Sequence, residues 1–135
     1  MAIKISGTTV IDDSRNIVNV VGIGATYYRE TVNNLGNTGA TPNINYASGG
    51  FVVATLDQTA TFTFSNPPND GFYSFALQLT NGAGSLSITW PGVVKWPGGV
   101  QPVRTETINR TDIYSFYTVD GGTNWYGAIS QYDYN

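Results

Sequence analysis

The sequence predicts an all-β fold: an antiparallel β-sandwich or jelly-roll-like domain preceded by an extended N-terminal arm. Three observations carry this prediction. Short apolar runs with period-two alternation recur roughly every 8–12 residues. Strong turn signals separate them, among them Asn66-Pro67-Pro68-Asn69-Asp70-Gly71, Asn81-Gly82 and Asp120-Gly121-Gly122. No stretch has a convincing helical pattern, and no internal repeat is visible.

Residues 1–23 form the first unit. Ile3 and Ile5 flank Lys4, Gly7 interrupts, and Thr8 to Ile11 is a second extended run. Asp12 to Asn16 reads as a polar turn, and Ile17, Val18, Val20, Val21 and Ile23 follow. β-Branched residues and recurring Gly disfavour a long helix here. Two readings stand: a pair of N-terminal strands, or an assembly arm in which Ile3, Ile5, Val10, Ile11, Ile17, Val18, Val20 and Val21 meet another chain. The second is preferred, because so short an apolar segment buries itself poorly alone.

Residues 24–50 have few periodic apolar positions and many Asn, Gly and Thr, which predicts a long loop. Residues 51–135 then read as the antiparallel domain. Phe51 to Leu56 is a buried run, and Phe62 and Phe64 alternate with Thr. Phe75, Leu77 and Leu79 face one way, and Asn81-Gly82 predicts a hairpin leading to Leu86, Ile88 and Trp90. Val93 to Trp96 is short. Ile113 to Thr118 and Trp125 to Ile129 form a last hairpin around Asp120-Gly121-Gly122.

Composition narrows the chemistry. The 135 residues include no His, no Cys and one Met, and only 11% are charged. The usual proton shuttle, the soft nucleophile and the soft metal ligands are missing or scarce. Asp12-Asp13 is the one adjacent acid pair, and it sits in a turn. These features predict a non-enzymatic protein without metal or cofactor. A net charge of −3 and six scattered basic residues predict no nucleic-acid partner. No apolar run is long enough for a membrane helix, and the first residues lack the pattern of a signal peptide. So low a charge fits either a polar, Thr- and Asn-rich solvent face or a subunit surface covered by copies or partners.

Two local motifs remain. Thr118 to Trp125 resembles the Asp-box hairpin of sialidase-like propellers, with Asp120 placed to accept turn N–H groups and Trp125 beneath. It occurs once, where a propeller needs one per blade, so it reads as a structural hairpin. Trp96 lies on a Pro-Gly loop, and Tyr132 and Tyr134 alternate with Asp133 and Asn135. These three aromatics suit contact with a glycan or receptor, where flat rings stack on sugars, or contact with another subunit.

Two stretches resemble structural proteins of tailed bacteriophages. The first is Ile3 to Asn19, similar to a lead-in that precedes fibre or knob domains. The second, Ala76 to Gly82, Ile88 to Gly99 and Phe116 to Gly127, is similar to their C-terminal β domain. The resemblance implies a homotrimer on the virion surface, made in the host cytoplasm and attached to phage capsid or tail proteins. The short chain fits a capsid decoration (cement) protein or short head fibre. The alternatives are the receptor-binding tip of a tail fibre, with a host-surface glycan as partner, and a free-standing carbohydrate-binding module.

Overall fold

The computed structural model describes residues 3–13, 16–69 and 71–135. Ser14 and Arg15 of the first polar turn, and Asp70 of the 66–71 turn, lie outside the described residues.

The N-terminal unit is a small antiparallel ladder. Strand β1 (Ile3–Ile5) pairs with β2 (Thr8–Ile11) across a two-residue turn. Ser6 and Gly7 both have positive φ, at 50° and 82°. A tight turn of this type matches the twist of its flanking strands. The chain then returns a third time: Ile11 bridges Ile17, and Val18 N–H donates to Val10 C=O at 3.0 Å. Asp12 closes the intervening turn by accepting from Asn16 N at 2.8 Å. Residues expected to extend as an arm thus fold back on themselves, because the Ser6-Gly7 turn directs β2 onto β1.

A six-stranded sheet forms the body. Its strands are β3 (Val32–Asn37), β5 (Phe51–Leu56), β8 (Tyr73–Asn81), β10 (Val94–Lys95), β11 (Thr111–Thr118) and β12 (Trp125–Tyr134), in the spatial order β10-β12-β11-β8-β5-β3. Short ladders cover one face. There β4 (Asn43–Asn45) pairs with β7 (Thr63–Ser65), and β6 (Ala60–Thr61) pairs with β9 (Ile88–Thr89). Thr61 N–H reaches Ala40 C=O and Phe62 N–H reaches Thr89 C=O, so residues 40–45, 60–65 and 87–89 lie side by side.

Between β3 and β9 the chain crosses between the two layers at each step: β3 then β4, β5 then β6 and β7, β8 then β9. Successive strands within a layer therefore run the same way. The pairs β3–β5, β5–β8, β4–β7 and β6–β9 are all parallel, as is β10–β12. Only β8–β11 and β11–β12 are antiparallel in the main sheet. The expected antiparallel pattern is thus corrected to a mixed one. The expected Asn81-Gly82 hairpin does not form either. Gly82 N–H donates to Leu56 C=O at 2.8 Å, and a Cβ on Gly82 would lie 2.9 Å from the Thr55 side chain. The turn sends the chain into the other layer instead of back along β8.

The 24–50 segment is corrected as well. Residues 24–31 are exposed and outside any strand, but β3, β4 and a 3-10 turn at Tyr46–Ser48 follow. β3 has few apolar residues and is held as an edge strand by pairing with β5.

Between the layers lies an aromatic core. Phe62 stacks on Trp90 at 4.9 Å, and Phe75 stacks on Phe116 at the same distance. Phe64 meets Phe75, Phe116 and Trp125 edge-on. Val52, Leu56 and Leu77 are fully buried around them. Aromatic pairs of this kind add about 0.5–1.5 kcal/mol each beyond area burial.

A charge-free aromatic face as candidate functional site

The second layer covers one face of the main sheet, and the other face is left open. Alternation decides what stands on it. Along β11, Asp112, Tyr114, Phe116 and Thr118 point inward, so Thr111, Ile113, Ser115 and Tyr117 point outward. β8 presents Ser74, Ala76, Gln78 and Thr80, and β5 presents Phe51, Val53 and Thr55. On β12 the outward residues as far as the irregularity beyond Ile129 are Tyr126, Ala128 and Ser130. None of these outward residues is charged. Lys95 on β10 adds a charge at the edge.

An aromatic ridge crosses this face. Register brings Tyr117 opposite Tyr126, with ring centroids 5.0 Å apart and nearly parallel. Phe72 continues the row at 5.7 Å from Tyr117. Phe72 remains 65% exposed, and each tyrosine 42%. Grooves flank the ridge on both sides. One, of about 460 Å³, is walled by Lys95, Trp96, Pro97, Tyr126 and Ala128. The other, of about 360 Å³, lies between Phe51, Phe72, Ser115 and Tyr117, with Glu30 at its rim. A third, of about 380 Å³, runs past Gln78, Ile113, Gln131 and Tyr134.

Trp96 is half-buried, not freely exposed as the loop reading expects. Its ring meets Trp90 and Phe116 edge-on and lies against Gly127. A Cβ at Gly127 would come within 2.8 Å of that ring. Gly127 therefore lets the indole wrap over the sheet edge and form one wall of the first groove. Tyr134 is partly exposed and pairs with Thr111. Tyr134 lies seven residue steps along β12 from Gly127, roughly 23 Å at strand rise, so Tyr134 and Trp96 do not share a site. Tyr132 is 71% exposed.

Ile3, Ile5, Ile17, Val20 and Val21 are exposed, and Val10, Ile11 and Val18 are half-buried within their own small ladder. Neither β1 nor β2 packs substantially on any strand of the body. Val21 and Ile23 are among the most exposed apolar residues, at 108% and 71%.

The Asp120 turn has the geometry its sequence implies. Asp120 Oδ1 accepts from Asn124 N at 2.9 Å, and Oδ2 accepts from the Asn124 amide at 2.8 Å. These bonds, with the Thr118 hydroxyl, hold its carboxyl below the ordinary carboxylate value. Gly122 lies against Pro67 and the Trp125 indole, and Trp125 is buried beneath. Behind the open face, burial and then the Asp112 charge push Tyr114 well above the usual tyrosine range. Asp112 accepts from Thr105 N at 2.7 Å and Asp133 N at 3.1 Å. Among the described residues, no group of three or more His, Cys, Asp or Glu is placed to hold a metal ion. No helix among them is long and apolar enough to cross a membrane.

The open face offers ring surface, hydroxyls and amides, which bind by contact and hydrogen bonding. Phe72, Tyr117 and Tyr126 are absent from the sequence-derived candidates. The symmetric placement of Tyr117 and Tyr126 about Gly121-Gly122 is the signal that could have found two of them. No family model matches the chain, and no curated protein or solved structure is significantly similar to it.

Proposed function

We propose that the chain is a non-enzymatic structural protein of a tailed-bacteriophage virion, a trimeric capsid decoration protein or short head fibre. The observation that carries this reading is the apolar N-terminal unit. It is paired internally, has no substantial packing of its strands on those of the body, and exposes Ile3, Ile5, Ile17 and Val21. Each Ile or Val that becomes fully buried on assembly contributes about 1.5–3 kcal/mol. Scattered surface charges typically contribute under about 1 kcal/mol each. Attachment is thus dominated by this unit, which acts as an assembly arm, while the body serves as a projecting β-sandwich with mixed pairing.

Light scattering coupled to gel filtration tests the assembly. A homotrimer of the 14.5 kDa chain is expected, and a stable monomer at micromolar concentration would overturn it. Cosedimentation with capsids tests the location, and a chain lacking residues 1–23 should not pellet with them.

A second reading, the receptor-binding tip of a tail fibre, has one observation in its favour. A cleft of about 610 Å³ is lined by Tyr28, Tyr46, Arg29, Glu30 and Asn66. Rings beside short amides and charges suit a host-surface glycan. Binding to host cells without binding to capsids would select this reading.

A further inference from the structure

The Tyr126 ring is covered on one side only. Tyr126 is the register partner of Tyr117 on β11 and of Lys95 on β10, so the three side chains stand in one row across the sheet face. Tyr117 stacks on one side of the Tyr126 ring, and Phe72 flanks Tyr117 beyond it. The other side of Tyr126 is turned to β10. There the slot of about 460 Å³ opens between Tyr126 and Trp96, lined also by Lys95, Pro97 and the small side chains of Ser115 and Ala128. Small-molecule sites span about 300–1,000 Å³.

The walls of the slot are fixed before any ligand arrives. Trp96 is held edge-on by Trp90 and Phe116 and lies close over Gly127. Tyr126 is held by Tyr117. A ligand that stacks on rings already in place avoids much of the cost of ordering them.

The surrounding surface selects the ligand class. Away from the ridge, most outward positions are hydroxyls and amides, among them Thr111 and Ser115 on β11, Ser74, Gln78 and Thr80 on β8, and Ser130 on β12. An apolar protein surface laid over them would desolvate these groups without giving them partners, which costs stability. A sugar brings hydroxyls of its own and an apolar C–H face that lies flat on a ring.

Charge narrows the class further. Lys95 lines the slot, and among the described residues it forms no ion pair. Glu30, the acid that borders this face, stands at the rim of the other groove, beyond Tyr117. The ammonium is therefore open to a ligand carboxylate. One cation matches one carboxylate, not the repeated phosphates of a nucleic acid.

We infer that the slot between Trp96 and Tyr126 binds an acidic sugar residue of a glycan, with its ring against Tyr126 and its carboxylate on the Lys95 ammonium. This goes beyond the assembly reading. It gives the body a binding activity separate from the N-terminal unit and from the cleft beside Tyr28 and Tyr46.

An array of sialylated, uronate-containing and neutral oligosaccharides, probed with the labelled full chain, tests the class. The strongest acidic hit is then titrated by calorimetry beside its carboxyl-reduced form, in which the carboxylate has become an alcohol. The acidic form should bind, and the reduced form about tenfold more weakly, as expected for loss of one charge-assisted hydrogen bond. Lys95→Gln should remove that difference. Tyr126→Ala should abolish binding of both forms while circular dichroism stays unchanged. An array without an acidic hit overturns the inference. So do equal affinities for the two forms, and so does a glutamate-rich peptide that binds as tightly as the glycan. Binding that survives Tyr126→Ala and is lost in Tyr28→Ala protein puts the glycan in the other cleft and overturns it too. The chain lacking residues 1–23 should bind the glycan as the full chain does, and loss there would overturn the placement of the site on the body. Capsid cosedimentation of Tyr126→Ala protein should be unchanged, so this inference and the assembly reading fail separately.

Discussion

The N-terminal unit and the body use the same β-branched vocabulary and bury it differently. In the N-terminal unit β1 and β2 pair across a tight turn and a third segment returns at Ile17 and Val18, yet Ile3, Ile5, Ile17 and Val21 stay exposed. In the body, Val52, Leu56 and Leu77 fall to 0% exposure because residues 40–45, 60–65 and 87–90 lie across the sheet. Backbone pairing satisfies N–H and C=O groups, but a second layer is what removes apolar side chains from water. The first unit has the pairing without the layer, which leaves its side chains available to a surface elsewhere.

The largest break in this comparison comes from removing a ring between the layers. Phe62→Ala should cost about 3–5 kcal/mol in urea denaturation, while Ile5→Ala should stay within about 0.5 kcal/mol. Equal losses at both sites would mean that the N-terminal unit is part of the core. Gly127→Ala comes next. Its Cβ would meet Trp96 and Phe116 at 2.8 and 2.9 Å, an overpacking of about 1–3 kcal/mol. A shift in tryptophan fluorescence should accompany it, and an unchanged spectrum and midpoint would refute the close approach.

Deleting residues 1–23 sharpens the contrast from the other side. The body's unfolding free energy should move by no more than about 0.5 kcal/mol, because the unit has no substantial packing on it. The smallest effect is expected at Asp120, which is fully exposed. Its hydrogen bonds depress the folded value below the ordinary 3.8. The stability they contribute is present above that ordinary value and is lost as pH falls below it through the folded value. Asp120→Asn should flatten this acid limb of the midpoint–pH curve, and an unaltered limb would show that the bonds do not couple to folding.

The terminal hairpin was legible in the sequence because Asp120-Gly121-Gly122 dictates its own backbone, with φ of 65° and 83° at the two glycines. Asn81-Gly82 was legible as a corner and misleading as a hairpin. Turn residues specify that a chain bends, and the packing of distant side chains decides which layer it enters. The parallel partners Phe51 and Ala76 carry no local mark of each other. β3 was missed because Val-Asn-Asn-Leu-Gly-Asn has little strand propensity, and its edge position comes from β5. At the candidate site, Trp96 was readable as a loop aromatic. The ridge was not, because Phe72, Tyr117 and Tyr126 come from separate segments that only register aligns.

The crossing path between layers also sets an order in time. Phe51 must find Ala76, and Thr80 must find Thr111, 31 residues further on. A chain emerging from the ribosome thus makes Phe62, Phe64 and Phe75 well before Phe116 and Trp125 exist to cover them. Such non-local pairing folds slowly and leaves apolar surface exposed meanwhile. The nascent protein carries an open aromatic surface until its last hairpin is synthesised, and the pace of translation between Trp90 and Trp125 governs how long that surface is offered to chaperones or to other unfinished chains.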